Sequence, residues 1–517
     1  MKKKERVTIF EPGILLLGIV LSILSAAICM QIMGQFGTAP NTSLIGAVLV
    51  MIVARIPFAA AQRFRNLERQ NYVLSIASSA GFASANCGFI AVAVMYILGR
   101  YDLVIPMAFG SLVGSMISVF VVGRIYDSKI FPARGSWPLG AAIATALEAG
   151  DSGGKKGFQL LQGLVVGGIA AFFGVPAAGV GIAFVANMIS MTALASGMVL
   201  RGYVPYIFNG FDIGQSNIPQ GIMIGAGAVA FVQIFFAMKK GGAKNKATES
   251  ETHTVSDSTA MRTLAGAIGL FVGGAVIIAM ITGIFSEMSI GQSASWLLFA
   301  GIAAVAVMIL VGTASMHSGW APTFAIVTIC LTIGILIGFP PLPLAVLVGY
   351  LGSVGPCLAD TGIGLKSGWI IRGKGIDPAY ELHGRKQQVL IKQLGIIIGT
   401  AMAVIFGIVL MRGDVIPPMS IFYVDTVSAE VSPTLLLELG IWAIPGAILQ
   451  IAFGNKSVGL MLATGLLINN PIFGISMLAA IVVRLIFGTK HMSVRAPGLI
   501  AGDGLFGFGL NVIRAFF

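Results

Sequence analysis

Apolar runs of about 20 residues recur along nearly the whole of this chain. No other feature constrains the fold as tightly. At 1.5 Å per helical residue, such a run matches the roughly 30 Å hydrocarbon core of a bilayer. Its backbone polar groups find no water there, so they must pair within the segment or within a closed barrel. A barrel needs short alternating segments, which this sequence does not have. With 56% hydrophobic and 10% charged residues, the chain reads as an all-α polytopic membrane protein. About 14 transmembrane helices are expected, or roughly 12–16 once broken and re-entrant segments are counted.

The formal net charge is +12, carried mainly in short loops. In a soluble protein that balance would suggest nucleic acid. Here positive-inside topology accounts for it, and no nucleic-acid partner is expected. The same bias puts the basic N-terminus, residues 243–258 and residues 372–386 in the cytoplasm. Residues 412–433, with Asp414, Asp425 and Glu430 against one cation, belong outside. Arg55, inside the second run at 43–61, reads as a snorkelling cation. The first run, about residues 13–33, is too long for the core of a cleaved signal peptide, so it reads as an uncleaved helix in the inner membrane. Residues 243–258 (AKNKATESETHTVSDS) have the composition of a disordered linker. The chain therefore divides into an N-terminal transmembrane half (1–238), a cytoplasmic linker (239–261) and a C-terminal transmembrane half (262–517). The four cysteines and four histidines lack metal-ligand spacing, and there is no Walker A sequence. No metal site and no cofactor are expected.

Several segments are not plain spans. Residues 71–98 carry a run of Ser, Ala, Gly and Asn, which suits close helix packing or a broken helix beside a cavity. The apolar part of residues 136–156 is too short to cross, and both of its flanks are basic; it reads as a half-helix. Residues 201–217 are aromatic and polar around Asp212 and could be a second re-entrant piece. Asn469-Asn470-Pro471 breaks the run at 458–487. Interrupted backbone at membrane depth is tolerated only against protein or a water-filled cavity. Residues 136–150, 203–217 and 469–471 are thus expected to line one interior cavity. Residues 360–399 are the most unusual. Asp360 opens the stretch, Lys366 comes next, and Arg372, Lys374, Arg385 and Lys386 form a basic cluster. Ionisable groups at membrane depth are costly and mark pathways. An Asp360–Lys366 ion pair and an ordinary cytoplasmic loop explain the same residues without a function.

Gly221, Gly225, Gly227 and Phe231 align in register with Gly498, Gly502, Gly504 and Phe508, an internal repeat. Ser79-Ala80-Gly81-Phe82-Ala83 pairs more loosely with His317-Ser318-Gly319-Trp320-Ala321. Repeats with broken helices near the midplane are a transporter signature. At three blocks the chain resembles the oligopeptide transporter family, which includes the yellow-stripe metal-chelate transporters. Trp137-Pro138-Leu139-Gly140, with a short helix after it, is similar to the family's Pro-Ser-Gly-Thr-Ala block. Leu365-Lys366-Ser367-Gly368, with Arg385-Lys386-Gln387-Gln388, is similar to its Leu-Lys-Thr-Gly and Pro-Arg-Lys-Gln blocks. Gly498-Leu499-Ile500-Ala501-Gly502-Asp503-Gly504-Leu505 is similar to its C-terminal Gly-Leu-Ile-Ala-Gly-Glu-Gly-Leu. There are departures. Leu139 replaces a small hydroxyl residue, residues 374–383 are inserted, and Asp503 replaces a glutamate.

The resemblance implies a secondary active transporter, not an enzyme. It would take up small peptides or metal-chelate solutes by alternating access, coupled to protons. A gated channel is a second reading. An intramembrane aspartyl protease is a third, but its Gly-x-Gly-Asp motif is missing because Ile500 stands at the first position. A proton-driven carrier needs a group that changes protonation within reach of its cargo. Glu148, Asp212, Asp360, Lys366 and Asp503 are the candidates for substrate or proton binding. Asp151 precedes two lysines, and Glu438 lies near the external end of its run; both read as structural or solvated.

Overall fold

The computed structural model describes residues 6–36, 46–47, 50–51, 63–152, 154–241, 253–428 and 433–516. Among these residues the elements are helical, with no strand. The N-terminal helices are α1 (Pro12–Phe36), α2 (Leu67–Ile97), α3 (Val104–Ile125), α4 (Pro138–Ser152), α5 (Gly154–Phe172), α6 (Ala177–Val185), α7 (Met188–Ile207) and α8 (Ile218–Gly241). Beyond the linker come α9 (Asp257–Thr282), α10 (Ile290–Ser318), α11 (Thr323–Ile337), α12 (Pro341–Ile371), α13 (Pro378–Arg412), α14 (Pro418–Val427), α15 (Pro433–Phe453), α16 (Val458–Leu467), α17 (Pro471–Phe487) and α18 (Arg495–Phe516). Eight of them are long and apolar enough to cross a membrane, and α8, α11, α16 and α17 add shorter apolar stretches. The protein is an all-α polytopic membrane protein. Most of the run at 43–61 with Arg55, residues 243–252 of the linker, and Glu430 lie outside the described residues.

Lipid and protein share the apolar surface. On α15, Leu437, Ile444 and Ile451 recur every seventh residue and stay exposed, as a lipid-facing stripe does. By contrast, α12 is the most fully buried of the candidate spans. Its small residues let neighbours close on it from every side. The Trp137 ring occupies the space that a side chain at Gly362 would need, and Thr323 fills that beside Gly355. The first two family-like blocks meet here, because Gly140 at the start of α4 rests on the Ile363 carbonyl and the Lys366 side chain.

The two glycine segments of the internal repeat do the same physical job. A Cβ on Gly225 would overlap the Ala443 carbonyl oxygen, so α8 and α15 touch backbone to backbone. A Cβ on Gly502 would overlap the Leu164 carbonyl oxygen, so α18 and α5 touch in the same way. Without a hydrophobic driving force inside lipid, such close approach is a main source of helix affinity.

Four segments are built in ways that run length alone does not give. Residues 71–98 do not break; α2 runs on through a π-helical turn, Ala83–Phe89. The run at 177–200 is not one span, because it stops at Ala186 and restarts where Asn187 caps α7, accepting from Ile189 N–H at 3.0 Å and Ser190 N–H at 3.2 Å. Residues 203–217 form no buried re-entrant piece. α7 extends to Ile207, and Tyr206, Ile207 and Phe208 are exposed, where aromatic and apolar side chains suit the membrane boundary. Residues 412–433 hold α14, whose Tyr423 is buried.

Candidate functional site

Three helix breaks and one irregular helical turn meet in the interior. The first is the π-helical turn of α2, which carries Asn86 and Cys87. Such turns insert one residue into the helical ladder and re-aim side chains, and they recur at functional sites. The second is the connection from α10 to α11, where Gly319 takes φ +80° and leads into Trp320. The third joins α5 to α6 at Gly174, Val175 and Pro176. The fourth is Ile468 to Asn470, between α16 and α17; there the Asn470 side chain caps α17 by accepting from Phe473 N–H at 3.1 Å. Together with α12, α14 and α18 they enclose a cavity of about 540 Å³. The volume suits a small organic solute.

The wall is mostly apolar. Among the described residues, Asp503 is its one ionisable carboxylate or cation. Its Oδ2 accepts from Ala178 N–H at 2.7 Å, in the first turn of α6, where the helix dipole favours a carboxylate. Asn86 Nδ2, Ser315 Oγ and Thr323 Oγ1 also belong to lining residues and have no hydrogen-bond partner among the described residues.

The candidate residues fall in different places. Asp503 lines the cavity. Glu148 is exposed on α4, which contributes Leu139 to the wall instead. Asp212 forms a two-pronged ion pair with Arg201 (2.9 Å for each contact) away from the wall. Asp360 and Lys366 do not pair. Lys366 donates to the carbonyl oxygens of Ala133 (2.8 Å) and Gly135 (2.9 Å), fastening the turn before α4. Asp360 pairs with Lys392 of α13 (2.5 Å) and accepts from Ser78 and Ser79 hydroxyls (2.9 Å each). Asp360 is 1% exposed and Lys392 0%. The adjacent Ala359 lines the cavity, so the ion pair stands directly behind the wall. Of the three segments expected to line one cavity, 136–150 and 469–471 contribute Leu139 and Asn470; 203–217 contributes none.

The basic cluster is not an ordinary loop. Lys374 and Lys386 are exposed, but Arg372 and Arg385 are buried. Arg372 holds Glu381 through two contacts (2.7 and 3.2 Å). Glu68 accepts hydrogen bonds from the hydroxyls of Tyr72 (2.8 Å) and Tyr380. Arg385 donates to the Tyr126 carbonyl (3.1 Å) and to Thr254 Oγ1 (3.0 Å), and Thr254 in turn donates to Asp127 (2.7 Å). The end of the linker, the end of α3 and the start of α13 thus share one polar network, in which Asp127 and Arg385 are buried and Thr254 is exposed.

Sequence reasoning missed Lys392, Trp320 and Tyr423. A lone cation three residues into an apolar run was a readable signal for Lys392. The two aromatic residues carried none, because a wall aromatic and a core aromatic look alike in sequence.

Among the described residues, no group of three or more His, Cys, Asp or Glu side chains is placed to hold a metal ion. Residues 13–238 match the family model described as OPT oligopeptide transporter protein. The match covers fewer than half of the 517 residues. It includes the Trp137 block, the π-helical turn and the α5–α6 part of the wall, and it ends before the blocks of Lys366 and Asp503. No curated protein matches the chain. The matched family is one of transporters, and over these residues the resemblance stands.

Proposed function

We propose that the protein is a secondary active transporter of the inner membrane, taking up small peptide-like or chelate-like solutes by alternating access. The observation that carries this reading is the 540 Å³ interior cavity built where three helix breaks and the π-helical turn of α2 meet. Freed backbone groups need partners that lipid cannot supply, and a solute site in a carrier has this construction. Asp503 is the substrate contact. The Asp360–Lys392 pair, one residue behind the wall, is the coupling group. A proton delivered to Asp360 weakens its hold on Lys392 and loosens α12 from α13, two helices that a carrier must move relative to each other.

In proteoliposomes, uptake of a transported solute is expected to saturate with concentration and to rise with an inward proton gradient. Collapsing the gradient with a protonophore should return uptake to its equilibrative level. Unsaturable flux would favour the channel reading, and gradient-independent uptake would remove the proton.

The orientation comes from charge. The N-terminus, the linker and residues 372–386 lie on the cytoplasmic side, with the start of α14 on the other. The network joining Thr254, Asp127 and Arg385 supports placing the linker beside the α12–α13 connection. Single cysteines introduced at Lys374 and Asp414 are expected to label from opposite sides of right-side-out vesicles. Labelling of both from outside contradicts the orientation.

A further inference from the structure

The wall has a sign. Asp503 is its one carboxylate among the described residues, and Asp503 Oδ1 takes no hydrogen bond from them. The interior cations are committed elsewhere. Lys392 belongs to Asp360, and Lys366 to two carbonyl oxygens. Arg484 donates to the carbonyl oxygens of Ala183 (2.6 Å) and Ala186 (2.8 Å), leaving no cation on the wall among the described residues. Three further lining groups, Asn86 Nδ2 and the hydroxyls of Ser315 and Thr323, are unpartnered; Ser315 is 1% exposed and Thr323 7%. All three atoms are fully covered in the structure, so they stand behind the wall surface and Asp503 is left as its charged feature. The Trp320 and Phe324 rings offer π faces, which attract a cation and repel an anion.

We infer that the cavity selects solutes that carry an ammonium group on an apolar body but no free carboxylate. This rests on the cavity being the transport site. The ammonium pairs with Asp503 Oδ1, and the apolar body fills the rest. A free carboxylate enters without a counter-ion, and an uncompensated charge in a desolvated site is strongly penalised. Asp503 has a purely structural alternative, as the cap of α6. The Asn variant separates the two roles, because an amide oxygen still accepts from Ala178 N–H while the charge is gone.

The test uses the full chain in lipid nanodiscs and four forms of phenylalanyl-alanine, titrated calorimetrically. They are the amide (cation), the free acid (zwitterion), the N-acetyl amide (neutral) and the N-acetyl acid (anion). The amide should bind tightest, the free acid about tenfold or more weaker, and the N-acetyl acid weakest. Asp503→Asn should erase the advantage of the amide over the N-acetyl amide and leave the N-acetyl amide within about twofold. Equal binding of the amide and the free acid, no binding by any of the four, or an unchanged preference in Asp503→Asn overturns the inference. A separate control tests the site itself. If the cation preference persists in a Gly352→Phe protein, the preference is real but the cavity is not its seat. If Gly352→Phe abolishes binding while acid and amide bind alike in the unaltered protein, the cavity stands and the charge selection falls.

Discussion

Gly352→Phe is expected to abolish uptake while the protein remains folded. Gly352 lies on α12 and lines the cavity, and a Cβ built on it meets no heavy atom within 4 Å. It sits inside a helix, where phenylalanine is a somewhat better former than glycine, so the replacement carries no helical penalty. The new ring therefore enters open space rather than a neighbour. An engineered cavity of about 150 Å³ holds a benzene molecule, so a phenyl ring takes up roughly a quarter of the 540 Å³. Uptake should fall at least about tenfold, with thermal unfolding in detergent unchanged within about 1 kcal/mol. Gly225 is the contrasting position. Its Cβ would overlap the Ala443 carbonyl oxygen, so Gly225→Phe should lose folded yield before any transport can be measured. Normal uptake by a well-folded Gly352→Phe protein would place the transport path elsewhere.

The contrast between those two glycines shows what a single sequence can and cannot say. Both occur in apolar helical runs, and nothing in the flanking residues distinguishes the one facing a cavity from the one facing a backbone. The bilayer dictates run length, so the helical class was legible, as were the eight runs that form helices long and apolar enough to cross. The Asn469-Asn470-Pro471 break was legible too, because proline cannot continue a ladder and Asn470 caps the helix that Pro471 begins. The π-helical turn of α2 was visible only as a small-residue run; the extra residue per turn leaves no compositional mark. The short α14 was hidden because the acidic residues around it indicated a side of the membrane and not a helix. The partner of Asp360 was missed for a geometric reason. Lys366 is near in sequence, but a separation of six residues at 100° each points the two side chains to different faces of α12. The true partner comes from α13, 32 residues on, and only tertiary packing brings it there.

That pair carries the second large expectation. Neutralising one member alone, as Asp360→Asn or Lys392→Met, should destabilise the protein by about 3–5 kcal/mol, because each leaves an uncompensated buried charge. In Asp360→Asn, Lys392 keeps the Ser78 and Ser79 hydroxyls at 3.4 and 3.3 Å, which hydrogen-bond it without balancing its charge. In Lys392→Met, the same two hydroxyls face a lone carboxylate. The double variant removes both charges together and should recover most of the loss, since a buried pair contributes little net stability once its desolvation is counted. Stability and coupling are then read in one cycle. If the pair only glues α12 to α13, the double variant folds and still takes up solute against a proton gradient. If the pair couples the proton, the double variant folds, equilibrates solute across the membrane and no longer concentrates it. Single variants as stable as the unaltered protein would mean that water reaches the pair, and the burial argument would fail with them. Restored folding without restored accumulation is the expected result. It separates the coupling step from the cavity, because Asp503 and the lining groups are untouched in every variant of the cycle.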